Sequence, residues 1–174
     1  MRISFFIILA LLAAFISSSQ SINESRFKYY SVNDGLSDNV ITSIKQDAAG
    51  FIWIATAHGL NRFDGQNFKQ FLKTSSYNSI PDNAIYSMQL LGDELAFATN
   101  DGAQVISLNS LAQKNLNVPT SDALRYWSNA CLYVQKDSSG NYGVSTKTGF
   151  YIFSANGKLK KRFDFFTEKD IGTQ

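Results

Sequence analysis

The stretch FIWIATAHGLNRF at residues 51–63 recurs without a gap as NYGVSTKTGFYIF at 141–153. Thr56 to Thr146, Gly59 to Gly149 and Phe63 to Phe153 are each 90 residues apart, and the same spacing carries Asp47-Ala48-Ala49-Gly50 onto Asp137-Ser138-Ser139-Gly140. A third copy lies between them. Asn39-Val40-Ile41 matches Asn83-Ala84-Ile85 at a spacing of 44, and Thr56-Ala57-His58-Gly59 matches Thr99-Asn100-Asp101-Gly102 at 43. The residue lost between the two spacings falls in a turn, where Gly92-Asp93 replaces the longer Asp-x-x-Gly. A repeat of about this length is one supersecondary unit that cannot bury its apolar face alone and must stack on its neighbours.

Within each copy, runs of β-branched and aromatic residues alternate with Gly, Asn and Asp turns, the pattern of short antiparallel strands. In the first copy the strands are expected near 40–46, 51–56, 60–63 and 68–72. Both alternation faces of the second run are apolar, Phe51, Trp53 and Ala55 on one side and Ile52 and Ile54 on the other, so both are expected to be covered. A four-stranded sheet recurring at this period, each copy covered by the next, is the signature of a β-propeller. The expected fold is all-β: a partial β-propeller of about three four-stranded antiparallel blades, near 38–81, 82–120 and 121–170. Gly59, Gly102 and Gly149 stand between second and third strands, where a tight hairpin calls for positive φ. Thr56, Thr99 and Thr146 precede that turn as hydroxyls bonding local backbone.

Propellers close their rings with four to eight blades, which hides the sheet edges. Three copies cannot close, so the chain is expected to be an N-terminal piece of a longer polypeptide, or to assemble with further blades or another copy of itself. The strand-like run at 27–31, within a leading segment at 20–37, is expected to complete a last blade. At the start, Arg2 precedes a run of 14 residues (3–16), apolar but for Ser4, that ends in Ser17-Ser18-Ser19. That order reads as a secretory signal peptide over 1–19, because a membrane span needs about 20 apolar residues. The expected location is therefore periplasmic, with any membrane attachment supplied by parts outside this chain.

A formal charge of +2, or +1 without Arg2, provides no electrostatic basis for nucleic-acid binding. The basic run 158–162 reads as a solvated edge strand. With one Cys no internal disulfide forms, so packing must hold the chain together. Cys131 aligns with Ile41 and Ile85 and reads as a small buried hydrophobe rather than a reactive thiol.

His58, the only histidine, takes the turn position held by Asp101 and Thr148 in the other copies. A metal site needs more ligands than one imidazole, and nothing in the sequence sets a nucleophile and an orienting carboxylate beside it. No catalytic residue, metal or cofactor is therefore assigned. Asp34, Asp38, Asp64, Asp82 and Asp101 flank Gly or Asn, and Asp47 and Asp137 stand three residues before Gly50 and Gly140, so Asx-turn chemistry accounts for all of them. The oxygen-rich stretch 33–39 lacks the ligand series of an EF-hand loop. Tyr126 and Trp127 fall outside the repeat and offer either a stacking surface for a sugar or a loop packed on a blade edge.

The segment YYSVNDGLSDNVITSIKQDAAGFIWIATAHGLNRFDGQNFKQF (29–71), followed by SIPDN at 79–83, resembles the opening of the two-component regulator propeller family. Members of that family are the extracytoplasmic sensors of bacterial hybrid two-component systems. The resemblance implies paired seven-bladed propellers, a β-sandwich linker, a membrane helix and a cytoplasmic histidine kinase. It also implies sensing of polysaccharide breakdown products, with an oligosaccharide as ligand. The loops between second and third strands, with His58, Asn100, Asp101 and Lys147, are then the candidate ligand rim. A propeller hydrolase or lyase, a protein-docking scaffold and a sensor with another output are the alternatives.

Overall fold

The computed structural model describes residues 27–76, 79–119 and 130–165. The signal-peptide segment 1–19 and the stretch holding Tyr126 and Trp127 lie outside them. The described residues form three antiparallel sheets of four strands. The first contains β1 (Ile41–Gln46), β2 (Ile52–Thr56), β3 (Gly59–Phe63) and β4 (Phe68–Phe71). The second contains β5 (Ile85–Leu91), β6 (Glu94–Thr99), β7 (Gly102–Ser107) and β8 (Gln113–Leu116). The third contains β9 (Cys131–Lys136), β10 (Tyr142–Thr146), β11 (Gly149–Phe153) and β12 (Leu159–Asp164). Each sheet is a meander in sequence order, and β5 lies beside both β1 and β9, so the first strands gather on one side. The basic run falls on β12, an exposed edge strand.

The ladders repeat as the sequence does. Ile41 pairs with Thr56, Ile85 with Thr99 and Cys131 with Thr146. The next pairs are Ser43 with Ala55, Ser87 with Ala98 and Tyr133 with Ser145, so each first strand has one residue to spare. That residue is Thr42, Tyr86 or Leu132, and the irregularity is a β-bulge. In β6, where Glu94-Leu95-Ala96-Phe97 departs from the aromatic-rich pattern, the register is kept. Leu91 pairs with Glu94 across the two-residue turn, which accounts for the change of spacing from 44 to 43.

Two cores lie between the sheets. Trp53, Ala55 and Leu60 pack with Ile85, Met88, Leu95, Phe97 and Ile106, while Ala96, Ala98, Ala103, Val105 and Leu116 meet Cys131, Val134, Tyr142, Val144, Tyr151 and Phe153. Volume is complementary: one large indole meets medium aliphatics and a single phenyl ring in the first core, and small alanines meet three aromatic rings in the second. The second sheet is thus covered by a neighbouring sheet on both faces, and the first and third sheets by a neighbouring sheet on one. The expectation that both faces of β2 are covered is corrected, since Trp53 and Ala55 are buried but Ile52 and Ile54 only half-buried. The repeat makes the contrast plain. At one equivalent position Met88 and Val134 are each 1% exposed, whereas Ile44 is 58% exposed.

The run 27–31 pairs with no described strand, and a strand needs a ladder partner for its amides. Instead the segment folds over the open face of the first sheet. Ser31 caps a short 3-10 helix, Val32–Asp34, by accepting from Asn33 N (3.2 Å), and its own amide donates to Asp34 Oδ2 (2.8 Å). Tyr30 sets its ring edge-on to Phe63 and Phe68, at 4.8 and 5.6 Å between centroids, and Leu36 is buried.

The three turn glycines differ in what they need. Gly59 and Gly102 have positive φ as expected, but Gly149 does not. Gly149 is needed for space, because a Cβ there meets the Phe163 carbonyl oxygen at 2.6 Å. At Gly59, φ is +134° and a Cβ meets Leu72 Cδ2 at 2.5 Å and Phe71 O at 3.2 Å. Gly59→Ala is therefore expected to lower stability by about 1–3 kcal/mol in chemical denaturation; an unchanged midpoint would show that the turn can relax.

Candidate functional site

At the end of each sheet carrying the β2–β3, β6–β7 or β10–β11 turn, the same local bonds recur. Thr56, Thr99 and Thr146 donate through Oγ1 to the carbonyls of Gly59, Gly102 and Gly149, at 2.9, 2.8 and 3.1 Å. The same oxygens accept the amides of His58, Asp101 and Thr148 at 3.1, 3.2 and 3.1 Å. Both capacities of each hydroxyl are thus engaged by the turn. Leading into each of the first two sheets, an Asp-Asn pair does similar work. Asp38 accepts from Val40 N (2.7 Å) and Asp82 from Ala84 N (2.9 Å), while Asn39 accepts from Val32 N (3.1 Å) and Asn83 from Lys73 N (2.7 Å).

What varies between copies sits on this scaffold. His58 Nδ1 lies 2.5 Å from Asp38 Oδ2, with side chains 70% and 22% exposed. The expectation that no orienting carboxylate stands beside His58 is corrected: Asp38 is 20 residues earlier in sequence, and the turn swings His58 back over it. The Asp38 carboxyl is held below its usual range, first by the Val40 amide and then by His58. Among the described residues no hydroxyl or thiol is hydrogen-bonded to the imidazole, and Ser37 Oγ is engaged by Asn61 Nδ2 (2.7 Å) and Thr56 Oγ1 (2.9 Å).

In the second blade Asp101 takes the place of His58 and Asp82 that of Asp38. Two like charges are reconciled by Lys73, whose Nζ is 3.3 Å from Asp101 Oδ2 and 3.8 Å from Asp82 Oδ2. Asn100 Oδ1 accepts from Tyr86 OH at 3.3 Å. In the third blade Lys147 is exposed and Thr148 is buried. The structure thus places His58, Asn100, Asp101 and Lys147 on equivalent turns of adjacent blades. It adds Asp38, Lys73 and Tyr86, which the repeat alone does not single out, because their partners are distant in sequence.

The opposite rim is a structural latch between blades two and three. Glu94 accepts from Lys136 Nζ (2.7 Å) and from Tyr142 OH (2.8 and 2.6 Å), and Lys114 Nζ lies at 3.4 Å. Burial of the Glu94 carboxyl works to raise its pKa, but the Lys136 and Tyr142 hydrogen bonds and the Lys114 charge outweigh it and hold the group below its usual range. Tyr142 is pushed the other way, above the usual phenol range, by burial and by its bond to Glu94. Cys131 is fully buried and its thiol is pushed up to about 12, chiefly by burial, as suits a core residue rather than a nucleophile.

Among the described residues no cluster of His, Cys, Asp and Glu fits a metal ion, and no helix is long and apolar enough to cross a membrane. Residues 35–58, from the Asp-Asn connection through β1 and β2 to His58, match the family model described as two component regulator propeller. A histidine kinase of Formosa agariphila is 39% identical over 61 residues, which is 34% of this chain and 4% of the kinase. The extracellular domain of a hybrid two component system from B. thetaiotaomicron shares the fold with a TM-score of 0.64 and 24% identity, over 84% of this chain and 21% of that one. The chain thus spans a small part of each relative. Residues 35–58 thus match the repeat of the two component regulator propeller family, and the three sheets share the fold of that extracellular domain.

Proposed function

We propose that this chain is part of an extracytoplasmic sensor, in which the rim formed by the β2–β3, β6–β7 and β10–β11 turns receives a ligand derived from a glycan. One observation carries this reading: the side chains that differ from copy to copy, His58, Asn100-Asp101 and Lys147, lie on a turn whose own bonds are the same in every copy. A scaffold held constant beneath variable exposed groups is how folds present recognition residues. The histidine kinase and extracellular-domain relatives support the placement in signalling. The test is transcription in cells whose gene encodes this chain, with glycan fragments supplied singly. Induction by one fragment, lost with His58→Ala and Asp101→Ala together, is expected. Consumption of the fragment by the purified protein would instead favour an enzyme.

The partners in this reading are further blades. Ile41, Ile44, Ile52 and Ile54 hold the positions that in the second and third sheets are packed against a neighbour. Ile44→Lys is expected to change the stability of this chain alone by no more than about 0.5 kcal/mol, as for other exposed sites. Met88→Lys, its equivalent in the second sheet, buries an unpaired ammonium and is expected to unfold the chain. Equal damage from both substitutions in urea titrations would mean that the first sheet's face is not open.

A further inference from the structure

The first and second sheets meet at one seam and the second and third at another, and the two seams differ at the end that carries the Glu94 latch. In the second seam Glu94 gathers Lys114, Lys136 and Tyr142 around one carboxylate. The repeat puts Phe51 at the position of Glu94, 43 residues earlier, and the ladders put Lys69 at that of Lys114. The first seam therefore keeps the lysine and lacks the acid. It also carries more cations. Lys45 and Arg62 flank Trp53 in one cross-strand row that ends on Lys69, where the second sheet has Gln89, Ala96, Val105 and Lys114. Like charges set directly opposite one another, as Arg62 and Lys69 are, destabilise a ladder. Among the described residues none of these three cations has an ion pair or a side-chain hydrogen bond.

We infer that Lys45, Arg62 and Lys69 form a binding site for a carboxylate brought from outside the chain, on a ligand that carries two or more such groups. The latch shows the chemistry, because at the equivalent place in the second seam a carboxylate accepts from lysine and from a phenol. Arg62 is half-buried, its guanidinium 4.3 Å from the centre of the Phe51 ring and 5.8 Å from that of Trp53. A guanidinium laid on rings is held in orientation while its N–H fork stays at the edge, where it takes both oxygens of one carboxylate. Lys69 Nζ stands 5.4 Å from the centre of the Phe71 ring. The row crosses four strands spaced about 4.8 Å apart, which favours a ligand with more than one carboxylate. Acids on the adjoining turns are otherwise engaged. Asp47 accepts the Trp53 indole and the amides of Ala49 and Phe51, Asp64 accepts the amides of Gln66 and Asn67, and Asp93 acts on Tyr142 at the second seam. The site lies away from the β2–β3 turn and goes beyond the glycan reading without resting on it.

The test is calorimetric titration of the full-length gene product containing this chain with citrate, succinate and hexaglutamate, and with inorganic phosphate for comparison. Citrate or hexaglutamate is expected to bind, with an affinity that falls about tenfold as salt is raised from about 0.05 to about 0.5 M. Tighter citrate binding assigns a free acid and tighter hexaglutamate binding an acidic segment of a partner protein, and both support the site. Arg62→Val and Lys45→Gln install the side chains that Val105 and Gln89 carry in the same ladder positions of the second sheet, so both should keep the wild-type far-ultraviolet circular dichroism. Each is expected to weaken binding about tenfold. Phe51→Glu supplies the carboxylate from within, as Glu94 does, and is expected to abolish binding while raising the midpoint of urea unfolding. Undiminished binding by Arg62→Val, binding of phosphate alone, or failure of both citrate and hexaglutamate would overturn the inference. None of these results bears on induction by glycan fragments, so the sensory reading stands or falls separately.

Discussion

Trp53→Ala lowers the unfolding free energy by about 3–5 kcal/mol, the cost of truncating a fully buried aromatic side chain. Trp53 has no exposed surface and lies in the core that joins the first sheet to Leu95, Phe97 and Ile106 of the second, with the Phe71 ring centred 5.6 Å away. Its indole N–H also donates to Asp47 Oδ2 at 2.8 Å, so the substitution removes a hydrogen bond to a charged group as well as volume. Trp53→Phe separates the two, since it keeps most of the apolar surface and leaves Asp47 the amides of Ala49 and Phe51. It is expected to cost about 1–2 kcal/mol, in the range of a lost bond to a charged acceptor. Urea titration followed by far-ultraviolet circular dichroism measures both. A loss below about 1 kcal/mol for Trp53→Ala would mean that the first core does not hold the two sheets together.

Glu94→Ala is the second large effect. It leaves Lys114, Lys136 and Tyr142 close together with the carboxylate gone, and breaking such a cluster when buried costs about 3–5 kcal/mol. Glu94 is 16% exposed and its lysine partners 28% and 32%, so partial solvation brings the expectation down to about 2–3 kcal/mol. The pH dependence provides an independent check. Because the folded carboxyl lies below its usual 4.5, its contribution is fully present above that value and is lost as pH falls through the lower folded value. The stability difference between wild type and Glu94→Gln is therefore expected to be constant from pH 7 to about 5.5 and to shrink steadily below. Asp38 and Asp64 are also held low, first by backbone amides of their turns, and Asp137 first by the Asn141 side chain, but they are common to both proteins and cancel in the comparison. A difference unchanged down to pH 3 would show that the latch is not ionic.

The replacement of Trp53 along the repeat shows how the blades differ. Its equivalents are Ala96 and Gly143. Across from Ala96 stand the large rings of the third sheet, whereas at Gly143 a Cβ would meet the ring of Phe150 at 2.8 Å, so that ring fills the space. Asp137, the counterpart of Asp47, has no indole to accept from and takes Asn141 Nδ2 at 2.9 Å instead. Volume and hydrogen bonding are thus conserved over groups of residues rather than position by position.

The bulges were within reach of a sequence reading. Buried partners in a strand repeat every second residue, yet Ile85 and Met88, and Cys131 and Val134, are three apart and buried together. Only an extra residue between them reconciles that spacing with a pleat. The His58–Asp38 and Lys73–Asp101 pairs leave no such trace, because they join positions 20 and 28 residues apart through connections without a fixed period.

Repetition in the chain determined the four-stranded unit, its turns, the threonine and glycine at each turn, and the stacking of sheets, because each is a local or nearest-neighbour requirement imposed anew in every copy. Tertiary structure alone decided which faces are covered, that the run 27–31 folds over the first sheet instead of pairing, and which charges meet at the rims. Those outcomes depend on distances between segments with no shared period, and side-chain packing sets such distances only after the sheets have stacked.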